Sequence, residues 1–197
     1  ILITNLTIDG NERGGVISSG IYFRRWVNYS KIDKVWVYNA RGFGIYSFGN
    51  YNTISNNHIT DNTVSAGLCL YGSNYNIVSN NICNNNQHIG IDLEISSNNI
   101  VSGNICYKNT QMGIQLWGSS NNNTISGNIC RENSTSSGIN VAQDSSNNVI
   151  TGNTCSGNGV YGIGLTTGCS YNTISGHVVR GNCFSGIELY SSAAACS

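Results

Sequence analysis

The stretch Asn123-Thr124-Ile125-Ser126-Gly127-Asn128-Ile129-Cys130 recurs with small changes along most of the chain. Its copies start at Asn52, Asn76, Asn99, Asn123, Asn148 and Asn172. The steps between these starts, taken as differences of the residue numbers, are 24, 23, 24, 25 and 24 residues. A nearly constant period of this length is the signature of a solenoid, in which each repeat forms one turn. The chain is therefore predicted to be a repeat protein.

A second motif, Gly-apolar-x-apolar, keeps the same period. It starts at Gly44, Gly67, Gly90, Gly113, Gly138, Gly162 and Gly186. In each repeat, short segments of alternating apolar and polar residues are separated by Gly, Ser and Asn, a pattern that predicts strands joined by turns. Apolar residues do not recur at helical spacing, so we expect an all-β fold.

The composition sets limits on the function. The chain has 197 residues, a formal net charge of zero and only 9% charged residues. A neutral chain is a poor partner for nucleic acid, and no stretch is long and apolar enough for a membrane span. We expect a single domain over residues 1–197, without recognisable capping elements. Because it starts at Ile1, we interpret it as a processed or excised segment.

Superposing the repeats gives columns of apolar residues that we expect to point inward. Two columns come from the first motif: Ile54, Val78, Val101, Ile125, Ile150, Ile174, and Ile59, Cys83, Cys106, Cys130, Cys155, Val179. Two come from the second: Ile45, Leu68, Ile91, Ile114, Ile139, Ile163, Ile187, and Leu70, Leu93, Leu116, Val141, Leu165, Leu189. Each turn thus has three short apolar faces. This predicts a parallel β-solenoid of about eight rungs, with roughly 24 residues and three strands per rung.

Asparagine also recurs in register. One column is Asn57, Asn81, Asn104, Asn128 and Asn153, and another is Asn62, Asn86, Asn109, Asn133, Asn158 and Asn182. Asn tolerates the left-handed backbone of tight corners, and stacked amides can bond from rung to rung. We interpret these columns as structural ladders rather than as a binding row.

These repeats resemble the right-handed parallel β-helix of the pectate-lyase-like superfamily, above all its NosD-like, carbohydrate-binding and sugar-hydrolase group. The resemblance covers roughly Ile3 to Leu189 and implies the right-handed coiling. It leaves the function open, because the same coil carries lyases, hydrolases, epimerases, adhesins and structural spikes. NosD-like proteins are associated with copper delivery, but no His or Met joins the cysteine column, so we expect neither metal nor cofactor.

The eight cysteines leave three alternatives open. The four in the inward column, Cys83, Cys106, Cys130 and Cys155, are either small apolar fillers, two disulfides between adjacent rungs (Cys83 with Cys106, Cys130 with Cys155), or a soft-metal ladder. Cys169 and Cys196, about one rung apart, could form a further disulfide. Cys69 falls on an outward position, and Cys183 lies in a turn.

Such cysteine usage favours an exported protein, extracellular or at the cell surface. Sequons that permit glycosylation there start at Asn5, Asn28, Asn122 and Asn133.

The outward positions of the second motif combine aromatic rings with amides and carboxylates, as glycan-binding surfaces do. The candidates for glycan binding are Tyr46, Phe48, Tyr71, Asp92, Glu94, Gln115, Trp117, Asn140, Glu188 and Tyr190. The alternative is that exposed aromatic residues simply suit strands and pack against their ladder neighbours.

Asp92 and Glu94 form the close carboxylate pair of this face, with His88 before them and Asp144 on later turns. Two carboxyl groups on one strand face could serve glycoside hydrolysis. However, the chain lacks the motif sets of polygalacturonases, pectate lyases and alginate epimerases. The basic residues Arg24, Arg25, Lys31 and Lys34 lie two to three rungs away.

Two hypotheses follow. The first is a non-enzymatic, exported structural solenoid that stacks head to tail on copies of itself, or joins flanking domains as the shaft of a surface assembly. The second is a carbohydrate-binding or polysaccharide-processing module, a hydrolase or lyase if it is an enzyme, that uses Asp92, Glu94 and Trp117.

Overall fold

The computed structural model describes residues 1–11, 18–166 and 168–190, and the regular elements within those ranges are β-strands. The strands are β1 (Leu2–Thr4), β2 (Thr7–Asp9), β3 (Ile21–Phe23), β4 (Lys31–Asp33), β5 (Trp36–Tyr38), β6 (Ile45–Ser47), β7 (Thr53–Ser55), β8 (His58–Thr60), β9 (Leu68–Tyr71), β10 (Ile77–Ser79), β11 (Ile82–Asn84), β12 (Ile91–Glu94), β13 (Ile100–Ser102), β14 (Ile105–Tyr107), β15 (Ile114–Trp117), β16 (Thr124–Ser126), β17 (Ile129–Arg131), β18 (Ile139–Val141), β19 (Val149–Thr151), β20 (Thr154–Ser156), β21 (Ile163–Leu165), β22 (Thr173–Ser175), β23 (Val178–Arg180) and β24 (Ile187–Leu189). In these ranges, no helix is long and apolar enough to cross a membrane.

The strands form three parallel sheets of eight strands each. Sheet A starts with β1, sheet B with β2 and sheet C with β3, and each sheet continues with every third strand along the chain. Equivalent residues of successive repeats pair directly, as in Val78 with Val101, Cys83 with Cys106 and Leu93 with Leu116. The predicted β-solenoid, with three strands per rung and eight rungs, is therefore confirmed.

The core is a continuous column of side chains inside the three sheets. The predicted inward residues from Ile45 to Ile163 are buried at 0% exposure. In the last described rung, Ile187 and Leu189 are 46% and 63% exposed, because β24 pairs with β21 alone within the described ranges. Burial of each apolar side chain contributes about 1.5–3 kcal/mol, so the core stabilises the rungs only when they are stacked.

The predicted asparagine ladders are present at the corners, and every amide in them bridges rungs. Asn104 Oδ1 accepts hydrogen bonds from the backbone N–H and the Nδ2 of Asn81 at 2.9 and 3.0 Å. Its Nδ2 donates to the Val78 carbonyl and to Asn128 Oδ1, both at 3.0 Å. Each ladder residue thus saturates buried backbone groups that the turn leaves unpaired.

A third ladder was missed by the sequence analysis, although its residues mark the start of every repeat. It consists of Asn52, Asn76, Asn99, Asn123, Asn148 and Asn172. Its amides bond in the same way, for example from the Asn99 N–H to Asn123 Oδ1 at 2.8 Å.

The glycine that begins each sheet C strand is required by the close approach of neighbouring rungs. A Cβ atom on Gly90 would lie 2.6 Å from the Gly113 carbonyl oxygen and 2.9 Å from Asn109 Nδ2. Real Cβ atoms do not approach backbone oxygen this closely, so the second motif keeps its glycine.

The cysteine column is a ladder of buried free thiols. Cys83, Cys106, Cys130 and Cys155 pair in register at 0% exposure, and none of them forms a disulfide. The disulfide pairing considered for them is thus absent, and they fill the core as small apolar side chains. Burial raises the pKa of the Cys106 thiol. Of the predicted Cys169–Cys196 pair, Cys196 lies outside the described residues.

One glycosylation candidate requires a correction. Asn133 is fully buried, and its Nδ2 donates to the Cys106 carbonyl at 3.3 Å and to Asn158 Oδ1 at 2.9 Å. Its sequon is inaccessible in the folded protein because the side chain belongs to a ladder. Asn5 and Asn122 are exposed, and Asn28 is partly exposed.

The ladder can be tested with Asn104→Ala, which leaves the Asn81 N–H and Nδ2 without their acceptor. Each buried group that loses its partner costs about 1–3 kcal/mol. We therefore expect the free energy of unfolding, measured in urea, to fall by about 2–5 kcal/mol. The control is Asn98→Gly, at an exposed corner with a φ of 60°, where a change within about 0.5 kcal/mol is expected. Equal stability of the two variants would contradict the ladder's role.

Candidate functional site

The outward side chains of sheet C form two adjacent columns, which we call the sheet C strip. Strand alternation and in-register pairing place Tyr46, Cys69, Asp92 and Gln115 in the first column. The second column contains Tyr71, Glu94 and Trp117, which pair in the same way. The strip therefore assembles in space the candidates that are about 23 residues apart in sequence.

Aromatic rings cover the part of the strip nearest β3. The Tyr46 ring stacks on Phe43 with centroids 4.3 Å apart and on Tyr22 at 5.4 Å. Phe48 packs edge-on against Tyr71 at 5.2 Å. Burial within this cluster raises the pKa of Tyr46. Tyr46, Phe48 and Tyr71 thus all pack against ladder neighbours, and all three keep some accessible surface.

Cys69 lies on the outward side, as predicted, but its exposure is 0%. It sits in register between Tyr46 and Asp92. Burial first, and then the nearby carboxylates of Asp92 and Glu94, raise the pKa of its thiol well above the ordinary value. Cys69 is therefore a protonated filler beneath the strip and not an exposed nucleophile.

The carboxylate pair lies in a shallow cavity of about 350 Å³, which we call the acid pocket. Asp92 and Glu94 form its floor together with Gln115, and Trp117 forms one side. The other side comes from the loops before β12 and β15. These loops contribute His88, Ile89, Gln111 and Met112.

The Asp92 carboxyl group is the unusual group of this pocket. Its Oδ1 is buried and has no hydrogen-bond partner, the single such side-chain atom found in the described ranges. Burial, and secondly the neighbouring Glu94 carboxylate, raise the pKa of Asp92 to about 7. A buried polar atom without a partner is costly, so a native structure that retains one calls for a functional reason.

The other titratable groups of the pocket differ from Asp92. Burial raises the pKa of Glu94 and lowers the pKa of His88, which therefore stays neutral near pH 7. Asp92 and Glu94 are two positions apart on one strand, so their Cα atoms are about 6–7 Å apart. Two carboxyl groups with different pKa values can serve as a proton donor and an ionised partner.

The remaining candidates do not join this pocket. Asn140 lies in the first column at 7% exposure. Glu188 and Tyr190 belong to the last described rung, four strands away from Asp92 in sheet C. Asp144 is exposed at a corner and does not line the cavity, and Lys31 forms an ion pair with Asp33 at 3.3 Å.

Gln111 and Met112 were not among the predicted site residues, because the candidates came from the outward strand positions. His88 was noted without a role. The available signal was positional: His88 and Gln111 both stand two residues before the glycine of the second motif.

Two family profiles match the chain, and together they account for nearly all of it. Residues 1–139 match the family described as "Right handed beta helix region". Residues 89–195 match the family described as "Periplasmic copper-binding protein (NosD)". The chain belongs to the right-handed β-helix and NosD families. The handedness implied by the resemblance is thereby confirmed for this β-helix.

Solved structures show the same fold in larger proteins. The periplasmic alginate epimerase AlgG superposes with a TM-score of 0.65 at 20% identity, covering 86% of this chain and 46% of that one. The Dettilon tailspike protein (gp208) superposes with a TM-score of 0.64 at 20% identity, and the match covers 87% of this chain and 42% of the tailspike chain. The A-module of the Azotobacter vinelandii mannuronan C-5 epimerase AlgE4 superposes with a TM-score of 0.60 at 15% identity, and the match covers 98% of this chain and 74% of the A-module.

The chain thus spans about half the length of the alginate epimerase it resembles. At these identities the likeness establishes the fold alone. No curated protein matches the sequence.

The donor groups of this β-helix do not fit the copper named in the family description. In the part of the chain that the structure describes, no three His, Cys, Asp or Glu side chains converge as metal ligands. The four ladder thiols lie inside the core, one per rung, with no imidazole among them.

The raised pKa of Asp92 predicts a pH dependence of stability. In the unfolded chain an Asp titrates near its ordinary value of about 3.9, so between about pH 4 and 7 the folded state binds more protons. Stability therefore falls as the pH rises through this window. Asp92→Asn removes this contribution, and it should gain about 1–4 kcal/mol relative to the wild type between about pH 4 and 8.

Urea-induced unfolding of both proteins at several pH values measures this difference. His88 titrates in both proteins, so its contribution cancels in the comparison, whereas Glu94 is coupled to Asp92 and its change is part of the measured difference. A stability difference that does not change with pH would contradict the assignment.

Proposed function

We propose that the sheet C strip binds a polysaccharide that runs along the solenoid axis, with one sugar unit in the acid pocket. The observation that carries the proposal is the Asp92 carboxyl group, which lines the acid pocket and whose buried Oδ1 has no hydrogen-bond partner among the described residues. A sugar hydroxyl in the pocket would bond to this carboxyl group, because it can donate to an ionised carboxylate and accept from a protonated one.

The walls of the pocket suit the rest of a sugar ring. Trp117 offers an apolar face at one side, and Gln111 and Gln115 offer amide donors and acceptors. A concave site with a few convergent polar groups beside an aromatic side chain is the usual form of a ligand pocket.

The charges favour a neutral or amino sugar at this position. Two carboxyl groups line the pocket, His88 is neutral near pH 7, and no Lys or Arg contributes to the lining. An acidic sugar would meet like charge at close range and would be disfavoured. The structural neighbours named for alginate and mannuronan support a polysaccharide as the class of ligand.

The same carboxyl pair supports a second, more specific possibility, the cleavage of a glycosidic bond. Protonated Asp92 would give its proton to the glycosidic oxygen as the bond from that oxygen to the anomeric carbon breaks, and the Glu94 carboxylate would take a proton from the water molecule whose oxygen bonds to that carbon. Binding without cleavage is the simpler proposal, since the chain lacks the motif sets of the related enzymes.

The relatives support an exported location for this protein. We infer export to the periplasm or beyond, because the NosD family description and the AlgG structure both specify the periplasm. The head-to-tail filament stays a prediction, since the site residues do not bear on the faces at which it would form.

Binding is tested with Trp117→Ala, measured by affinity electrophoresis and calorimetry against neutral, amino-sugar and acidic polysaccharides. We expect the wild type to bind a neutral or amino-sugar polymer and the variant to lose about tenfold or more in affinity. The matched control is Trp36→Ala on sheet B, where the indole is 47% exposed on a different face. Equal losses in both variants, or wild-type binding to none of the polymers, would contradict the proposal.

Asp92→Asn separates binding from chemistry, because asparagine keeps the size and the hydrogen-bonding capacity of the side chain. Product analysis by size-exclusion chromatography would then show whether the wild type shortens a polymer that the variant binds but leaves intact.

A further inference from the structure

A tight turn follows β3 at the end of the sheet C strip, and it holds a tryptophan in a strained conformation. The Val27 N–H donates to the Arg24 carbonyl at 3.2 Å, which closes a four-residue turn. Trp26, its third residue, has a φ of 78°. Type II turns require a positive φ at this position and favour glycine or asparagine there. Tyr29, Tyr51, Tyr75 and Ile95 also adopt a positive φ, but the φ of Trp26 is the largest of any non-glycine residue in the described ranges.

The strain at Trp26 is not offset by burial. Its side chain is 88% exposed, the largest value among the large apolar residues in the described part of the chain. Strained residues persist where the surroundings hold them for a function, and exposed indole rings are frequent anchors for ligands. A glycine would relieve the strain, so retaining tryptophan indicates a use for the indole.

The indole borders a cavity of about 220 Å³ that lies apart from the acid pocket, and we call it the turn pocket. Phe48 and Tyr71 provide aromatic walls, and Arg25 provides a guanidinium whose Cζ lies 6.0 Å from the Phe48 ring centroid. Among the described residues, no acidic side chain lines this cavity, so its charge is opposite to that of the acid pocket. Arg25 and Asp92 are three strands apart in sheet C, while Tyr71 of this cavity pairs with Glu94 of the acid pocket.

Two amides complete the turn pocket as hydrogen-bond donors. Asn28 Oδ1 accepts from the Asn50 N–H, and Asn50 Oδ1 accepts from the Asn74 N–H, both at 2.7 Å. These bonds fix the orientation of both amides and occupy their oxygens. Among the described residues, neither Nδ2 group donates to a protein acceptor. The pocket therefore offers amide donors and a cation to whatever binds there.

We propose that the turn pocket binds an anionic sugar unit, one that carries a carboxylate or a sulfate group. Trp26 would stack on the sugar ring, Arg25 would pair with the anionic group, and Asn28 and Asn50 would donate to its oxygens. This inference rests on the proposed function in one respect: the anionic sugar unit is taken to belong to the same polysaccharide whose neutral or amino sugar lies in the acid pocket. The strands between the pockets are about 4.8 Å apart, which sets the two units about 14 Å from each other.

Trp26→Gly and Arg25→Gln test this site, with Arg180→Gln on sheet B as the matched control for lost charge. Binding is measured by calorimetry with polygalacturonate, dextran sulfate and a neutral glucomannan, each at two salt concentrations. We expect Trp26→Gly to lose about tenfold or more in affinity for an anionic polymer, while its melting temperature stays equal or rises. Arg25→Gln should bind the anionic polymer weakly and with less dependence on salt, and Arg180→Gln should bind as the wild type does.

The outcomes distinguish this inference from the proposed function. Binding of polygalacturonate or of dextran sulfate identifies the anionic group as carboxylate or sulfate. If the wild type binds neither, or if Trp26→Gly and Arg25→Gln bind as the wild type does, the inference is overturned, whatever Trp117→Ala shows. If anionic binding depends on Trp26 but no neutral or amino-sugar polymer binds, the turn pocket stands and the acid pocket proposal fails.

Discussion

Each rung of this protein depends on its neighbours for the hydrogen bonds of its backbone, and the corner asparagines enforce that dependence. In the ladders, one amide oxygen receives two donors from the preceding rung while its nitrogen bonds in both directions, as at Asn104. Because these groups are buried, a shift in register would leave several of them unpaired at once. The corners therefore lock the strands in register, and the register in turn places each side chain above its equivalent in the next repeat.

Because of this register, outward side chains from successive repeats lie next to one another on the surface of sheet C. Sheet C has apolar inward residues in most of its rungs, with Ser47 of β6 as an exception, and its outward positions can vary without loss of this core packing. The variation is graded along the axis: Arg24 and Arg25 flank an aromatic cluster at one end of the strip, and Asp92 and Glu94 lie three strands further on. A rigid face of this kind suits an extended ligand, since its pockets keep a fixed separation.

The fold could be read from the sequence because every strong signal was periodic. The inward columns, two of the three asparagine ladders and the outward strip all follow from spacing alone, and the structure places Asp92, Glu94 and Trp117 together as the strip requires. The chemistry of the site could not be read in this way. Strand alternation predicted an outward carboxyl group at Asp92, but its Oδ1 is buried in a structure where His88 and Met112 line the same pocket.

The burial of Cys69 and the turn at Trp26 were also not predicted from the sequence. Cys69 alternates outward, but it is buried at 0% exposure at the position between Tyr46 and Asp92, and burial depends on the size of neighbours and not on alternation. Trp26 lies at the third position of a turn that normally takes glycine or asparagine, so its residue type did not predict a turn there. In a solenoid, periodic residues predict the scaffold, and departures from the period mark the places where a ligand could bind.

The central claim is that a polysaccharide lies along sheet C and engages the acid pocket. The most direct test is a crystal structure of the protein with a bound oligosaccharide from a polymer that binds in solution. The account predicts sugar density parallel to the solenoid axis, with a ring beside Trp117 and a hydroxyl on the Asp92 carboxyl group. Sugar density on sheet A or sheet B, with the acid pocket filled only by solvent, would contradict it.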